Sequence, residues 1–175
     1  FYPAFSQLAY ELVRSLGIFA RGPLTGSVAV AFTCQVFYEV FDHIGPQLKW
    51  WAWNTNNHIV NHPAMAAVPM NSMLLFASVS MGAMTYLVAR LTGDAPRNGW
   101  SLALRTLAAG VLTPPTMAIA GIPSSIFNGN STAQAWILGV ELALLWLAGI
   151  WIVVARLRST DYEPHEPISG FARFY

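Results

Sequence analysis

Residues 136–155 form a run of twenty that is almost wholly apolar, with a single carboxylate, Glu141, inside it. A helix crossing the hydrocarbon core of a bilayer needs about 20 apolar residues at ~1.5 Å of rise each. A carboxylate at such a depth costs at least ~2.5 kcal/mol. Two readings of Glu141 follow. Either it serves a function that offsets the cost, or a neighbouring helix satisfies it through a hydrogen bond.

The rest of the chain agrees with a membrane setting. It is 55% apolar and 10% charged, with a mean hydropathy of +0.46. A soluble domain carries about 25% charged residues, so too few are present to cover a wetted surface. The expected class is all-α: a polytopic transmembrane helical bundle. A net charge of +1 argues against a nucleic-acid partner, and the one cysteine, Cys34, excludes both a disulfide framework and a cysteine-based metal site. The chain opens on Phe1 rather than Met, so upstream residues are expected, with or without further helices.

Four apolar runs read as spans, over residues 24–44, 64–91, 100–122 and 134–155. Gly45-Pro46 closes the first, and Pro114-Pro115 interrupts the third. In the opening stretch Leu8, Leu12, Leu16 and Phe19 recur at helical spacing among Glu11, Arg14 and Ser15. That pattern suits an interfacial amphipathic helix or the end of a truncated span. Residues 1–158 make a single membrane domain, and 159–175 a polar, proline-containing cytoplasmic tail.

Charge placement orients the bundle. Arg14 and Arg21 precede the first span, Arg90, Arg97 and Arg105 surround the second connection, and Arg156 and Arg158 follow the fourth. The opposite connections hold Lys49 alone. The positive-inside rule then places both visible termini in the cytoplasm, with a bacterial inner membrane as the expected location. Asn130-Ser131-Thr132 matches a glycosylation sequon, which carries meaning only in a eukaryotic secretory setting.

Polar residues gather at one depth on this plan. Glu39, Asp42 and His43 sit in the last turns of the first span. Asn71 and Ser72 lie about 10 Å into the second from the non-cytoplasmic side, Thr116 about 8 Å into the third with Thr113 one turn deeper, and Glu141 about 10 Å into the fourth. A polar pocket in the outer half of the bundle is expected. Glu39, Asp42 and His43 share one helix face through their three- and four-residue spacings. Two carboxylates beside an imidazole bring together groups of unequal proton affinity, the basic requirement of acid–base work. The alternative is a polar cluster that ends the helix among headgroups, which Asp42 and His43 fit as well as function.

The loop after the first span holds Trp50, Trp51 and Trp53, then Asn54, Asn56, Asn57 and Asn61. The indoles are either an aromatic belt or the wall of a hydrophobic cavity, where ring faces stabilise a developing cation. His58 and His62 are four apart, with His43 upstream. On a helix that spacing permits a metal site, but the Asn-rich setting ending in Pro63 argues for a loop, so no metal is expected. Pro114 and Pro115 free backbone carbonyls one turn earlier, which Thr113 and Thr116 answer locally or which face a ligand. A polar loop over residues 121–132, with Phe127, covers the outer face.

Glu39 in an outer-half helix, the Trp-rich loop, and Val68-Pro69-Met70-Asn71 opening the next span resemble two families. One is the multi-pass membrane spirocyclase family typified by the avermectin pathway, to which residues 105–130 (RTLAAGVLTPPTMAIAGIPSSIFNGN) are also similar. The other is the carotenoid hydratase and cyclase family. The resemblance covers residues 28–130 and lacks a long acidic or histidine signature. It implies acid–base chemistry on a lipophilic polyketide or terpenoid without a redox cofactor, with Glu39 and Asn71 carried over.

The expected function is therefore a cofactor-independent cyclase, hydratase or isomerase. Glu39, Glu141, Asp42 and His43 are its candidate catalytic groups. Trp50, Trp51, Trp53, Asn71, Thr113, Thr116 and Phe127 are candidate substrate contacts. The alternative is a non-catalytic subunit of a larger membrane complex, binding lipid, quinone or pigment. Expected partners are membrane lipid, a lipophilic small molecule, and partner membrane subunits or a second copy of the chain. The small residues over 77–83 and 108–110 suit close helix contacts in either case. A transporter is a poorer third, because no inverted-repeat symmetry relates the two halves.

Overall fold

The structure is a computed structural model that describes residues 2–54, 56–57, 61–93 and 99–159. Helix α1 (Tyr2–Ser15) ends where Gly17 takes the left-handed conformation, φ 65°. A 3-10 turn (Ile18–Arg21) leads into α2 (Pro23–Gln47), whose Pro23 stands in the first turn, where its missing N–H has no intrahelical partner to lose. Two two-residue strands, β1 (Ala64–Met65) and β2 (Val68–Pro69), pair antiparallel. The chain then turns helical at Met70, runs through a π-helical stretch (Ser72–Val79) and continues as α3 (Ser80–Thr92). Helices α4 (Trp100–Ser125) and α5 (Ser131–Leu157) complete the bundle. The Asn130 side chain caps α5 by accepting the Ala133 N–H at 3.0 Å.

Among the described residues, four helices are long and apolar enough to cross a membrane: Pro23–Gln47, Ser72–Thr92, Trp100–Ser125 and Ser131–Leu157. Their boundaries depart from the apolar runs in instructive ways. Helix α2 passes through Gly45-Pro46 instead of stopping there. Residues 64–69 form the small hairpin, so the second span starts later than its apolar run. Helix α4 is continuous across Pro114, Pro115 and Pro123 rather than interrupted. Prolines are tolerated in such helices because tertiary contacts hold the helical path when single bonds are missing.

Helix α2 is the centre of the bundle, with half of its most apolar window buried, against 11% for α4 and 17% for α5. The main core joins Ala9, Val13 and Ile18 to Ala29, Val30, Cys34 and Tyr38 of α2 and to Ala77. A second cluster joins Val68, Met70, Met73 and Leu74 to Leu138 and Leu142 of α5. Small residues permit the closest approaches. A Cβ on Gly82 would meet the Ala31 Cβ at 2.9 Å and the Ser27 carbonyl at 3.2 Å. One on Gly149 would collide with the Phe32 ring.

Helix α1 is the second arm of an antiparallel hairpin with α2. Its Phe5 packs on Tyr38 and Phe41, at ring-centroid distances of 5.5 and 5.6 Å, near the far end of α2. At the other end of α1, Arg156 of α5 donates to the Leu16 carbonyl at 2.6 Å. Helix α1 thus lies alongside α2 rather than across the end of the bundle. Its Tyr2 end lies at the same end of the bundle as His43, opposite Arg14, Arg21 and Arg156.

Candidate functional site

The site is built on α2. Gln35, Glu39 and His43 recur every four residues and stack on one face. His43 Nε2 lies 2.9 Å from Glu39 Oε2, and the Gln35 amide donates to Glu39 Oε1. From α5, Trp146 donates its indole N–H to Gln35 Oε1. The indole is held edge-on against Phe32, with centroids 5.4 Å apart. A polar line thus descends from the His43 end of α2 into the α2–α5 contact. Gln35 is fully buried at 1% exposure. Side-chain exposure then rises from 18% at Glu39 to 32% at His43, so the line opens at its histidine end. Asp42 is buried one residue away, without a hydrogen bond to either partner of the pair.

Gln35 and Trp146 were not among the sequence candidates. Extending the four-residue step from His43 through Glu39 back to Gln35 finds the first. Trp146 belongs to another helix, and only packing brings it to Gln35.

Glu141 occupies a different place. Gln134, two turns earlier on the same face of α5, donates to the Ser124 carbonyl of α4 at 3.3 Å. Glu141 shares that side of α5 with Gln134 and adjoins Leu138 and Leu142, which pack on Met73 and Leu74 of the π-helical stretch. Its Oε2 is buried with no hydrogen-bond partner among the described residues, so the reading of a Glu satisfied by a neighbouring helix does not hold for that oxygen. Glu39 meets α5 through Gln35 and Trp146, and no hydrogen bond among the described residues joins Glu141 to that line.

The remaining candidates scatter. Asn71 stands in the first helical turn rather than two turns deep, because the hairpin takes up the residues before it. Thr113 donates to the Ala109 carbonyl at 2.8 Å and Thr116 to the Thr113 carbonyl at 2.6 Å. Both hydroxyls are spent on their own helix, and neither answers the Gly110 and Val111 carbonyls that the prolines leave open. Phe127 is exposed in the turn after α4. Trp51 stacks on Phe41 at 4.5 Å and Trp50 follows at 6.2 Å, so these two cap the α1–α2 end and only Trp53 lines a cavity. Among the described residues no three His, Cys, Asp or Glu side chains gather as a metal site; His58 lies outside them.

Two cavities open at the end of the bundle that holds His43. The larger, about 740 Å³, is a groove between residues 62–65, Met70 and the face of α5 that carries Ser131, Trp136, Gly139 and Val140. The smaller, about 220 Å³, lies under the loop among Pro46, Trp53, Asn61 and Pro69. His62 and Ala64 line both. Neither is lined by Glu39, Asp42, His43 or Glu141. No family model, curated protein or solved structure matches this chain.

Proposed function

We propose that this integral membrane bundle performs cofactor-independent acid–base chemistry on a lipophilic terpenoid or polyketide: cyclisation, hydration or isomerisation. The observation that carries the reading is the Trp146–Gln35–Glu39–His43 line. An indole can only donate, so Gln35 must turn its oxygen to Trp146 and its NH₂ to Glu39. Glu39 Oε1 is thereby committed as an acceptor, and the exchangeable proton is left on the axis between Glu39 Oε2 and His43 Nε2. A proton moving along that axis is delivered to a substrate oxygen or alkene carbon from one side of the pair. It returns when a neighbouring carbon or hydroxyl is deprotonated, so the pair ends the cycle unchanged. The low dielectric around Gln35 strengthens each of these bonds. The same basic end that orients the chain, with Arg14, Arg21 and Arg156, faces the cytoplasm in this proposal, and the His43 end faces outward.

The test compares small molecules extracted from purified wild type and from Glu39→Gln and His43→Ala variants by mass spectrometry. A terpenoid or polyketide that changes ring count or hydration between wild type and variants is expected. Identical profiles containing bulk lipid alone would sink the catalytic reading. A specific observation favours a second reading, a non-catalytic subunit: the groove and the loop cavity touch none of the four acid–base residues. That reading expects protein partners to co-purify and the same variants to leave the extract unaltered.

A further inference from the structure

We infer that the α5 groove and the loop cavity together form one binding site for a long-chain oxygenated molecule: an acyl or isoprenyl chain ending in a carbonyl or carboxyl oxygen. The groove volume of about 740 Å³ falls in the range of ligand sites, roughly 300–1,000 Å³. Its wall runs from Ser131 to Ala143, about 18 Å along α5. That wall grades from hydroxyl-bearing residues at the outer end to Trp136, Gly139 and Val140 toward the membrane interior. A molecule with its polar end outward matches that gradient. The site also offers an unmet donor. Trp53 lines the loop cavity, and its indole N–H is buried without an acceptor among the described residues. An orphaned buried donor costs stability that an acceptor oxygen recovers. Because His62 and Ala64 wall both spaces, a chain lying in the groove brings its head to Trp53 across their edge. The inference goes beyond the proposed function, since neither space is lined by the acid–base residues, and its test reads binding alone.

The test uses the full chain in phosphatidylcholine nanodiscs with a diazirine-bearing palmitic acid, and maps the labelled residues by mass spectrometry. Labelling concentrated on Met65, Met70 and Trp136 is expected. A Cβ on Gly139 meets only Met70, at 3.7 Å, so Gly139→Leu fills the groove without disturbing the helix backbone and removes that labelling. Trp53→Phe weakens competition by unlabelled palmitate about three- to tenfold, the loss of one hydrogen bond, and leaves competition by a head-less alkane unchanged. Competition by phosphatidylglycerol instead of palmitate assigns the same chemistry to a lipid acyl ester. Labelling spread evenly over the exposed faces of α4 and α5, insensitive to Gly139→Leu, overturns the site. Glu39→Gln leaves the labelling pattern in place, so loss of turnover and loss of binding are told apart.

Discussion

Trp146 and Glu141 lie five residues apart on α5 and show opposite ways of placing a polar group inside an apolar helix. Trp146 is fully used: its ring rests on Phe32 and its N–H on Gln35. Trp146→Phe keeps the ring contact and leaves Gln35 Oε1 buried without a donor. A loss of about 1–3 kcal/mol is expected in thermal unfolding of the detergent-solubilised protein. If Gln35 positions Glu39, the same variant lowers kcat more than KM; an unchanged kcat would assign Trp146 a packing role alone. Glu141 is the reverse case, with a buried oxygen that nothing in the described chain satisfies. Glu141→Leu is expected to leave the melting temperature unchanged or raised, because it removes an unmet polar group from an apolar contact. A function for Glu141 then shows as activity lost without stability lost. A large drop in melting temperature would mean that Glu141 supports the fold.

At the scale of the element, glycine and proline act through their surroundings. Gly149 lets α5 settle against Phe32, which is what brings Trp146 within reach of Gln35. Gly149→Val is expected to cost about 1–3 kcal/mol through overpacking and to separate the indole from Gln35, measurable as a change in tryptophan emission. Pro114→Ala tests the continuity of α4. It returns an N–H to the Gly110 carbonyl in a helix that already runs unbroken from Trp100 to Ser125. Unchanged or greater thermal stability is expected. A loss would mean that the helical path depends on the proline. The four spans and their order were legible because twenty apolar residues leave few alternatives in a bilayer. The persistence of α4 through three prolines was not, since the contacts that hold it come from α3 and α5.

On the scale of the molecule, the α1–α2 hairpin sets Phe5 near Phe41 and Leu16 near Arg156. The beginning of α1 is thus carried to the end of the bundle where Lys49 lies, away from the arginines. Single cysteines at Lys49 and Ser159 map the sidedness, since Cys34 is buried and does not report. Labelling of Lys49→Cys by an impermeant maleimide in intact cells, with Ser159→Cys labelled only after lysis, is expected. The reverse pattern would invert the proposed orientation.

What the sequence by itself determined is the material and the plan: a membrane bundle of apolar helices, an Arg-rich end, and a Glu39–His43 pair placed on one face by its spacing. These follow from composition and from the 3.6-residue period, which are properties of single segments. Tertiary structure alone decided which segments meet. It joined Gln35 to Trp146 across 111 residues, left Glu141 out of the Glu39 line with a buried oxygen unpaired among the described residues, and moved Asn71 from the interior to a helix start. The physical reason is that the rotation of each helix about its axis is set by close packing at a few contacts, such as Gly149 on Phe32 and Gly82 on Ala31. A shift of one residue in those contacts would carry each polar group to a different neighbour, and nothing within a single segment fixes them.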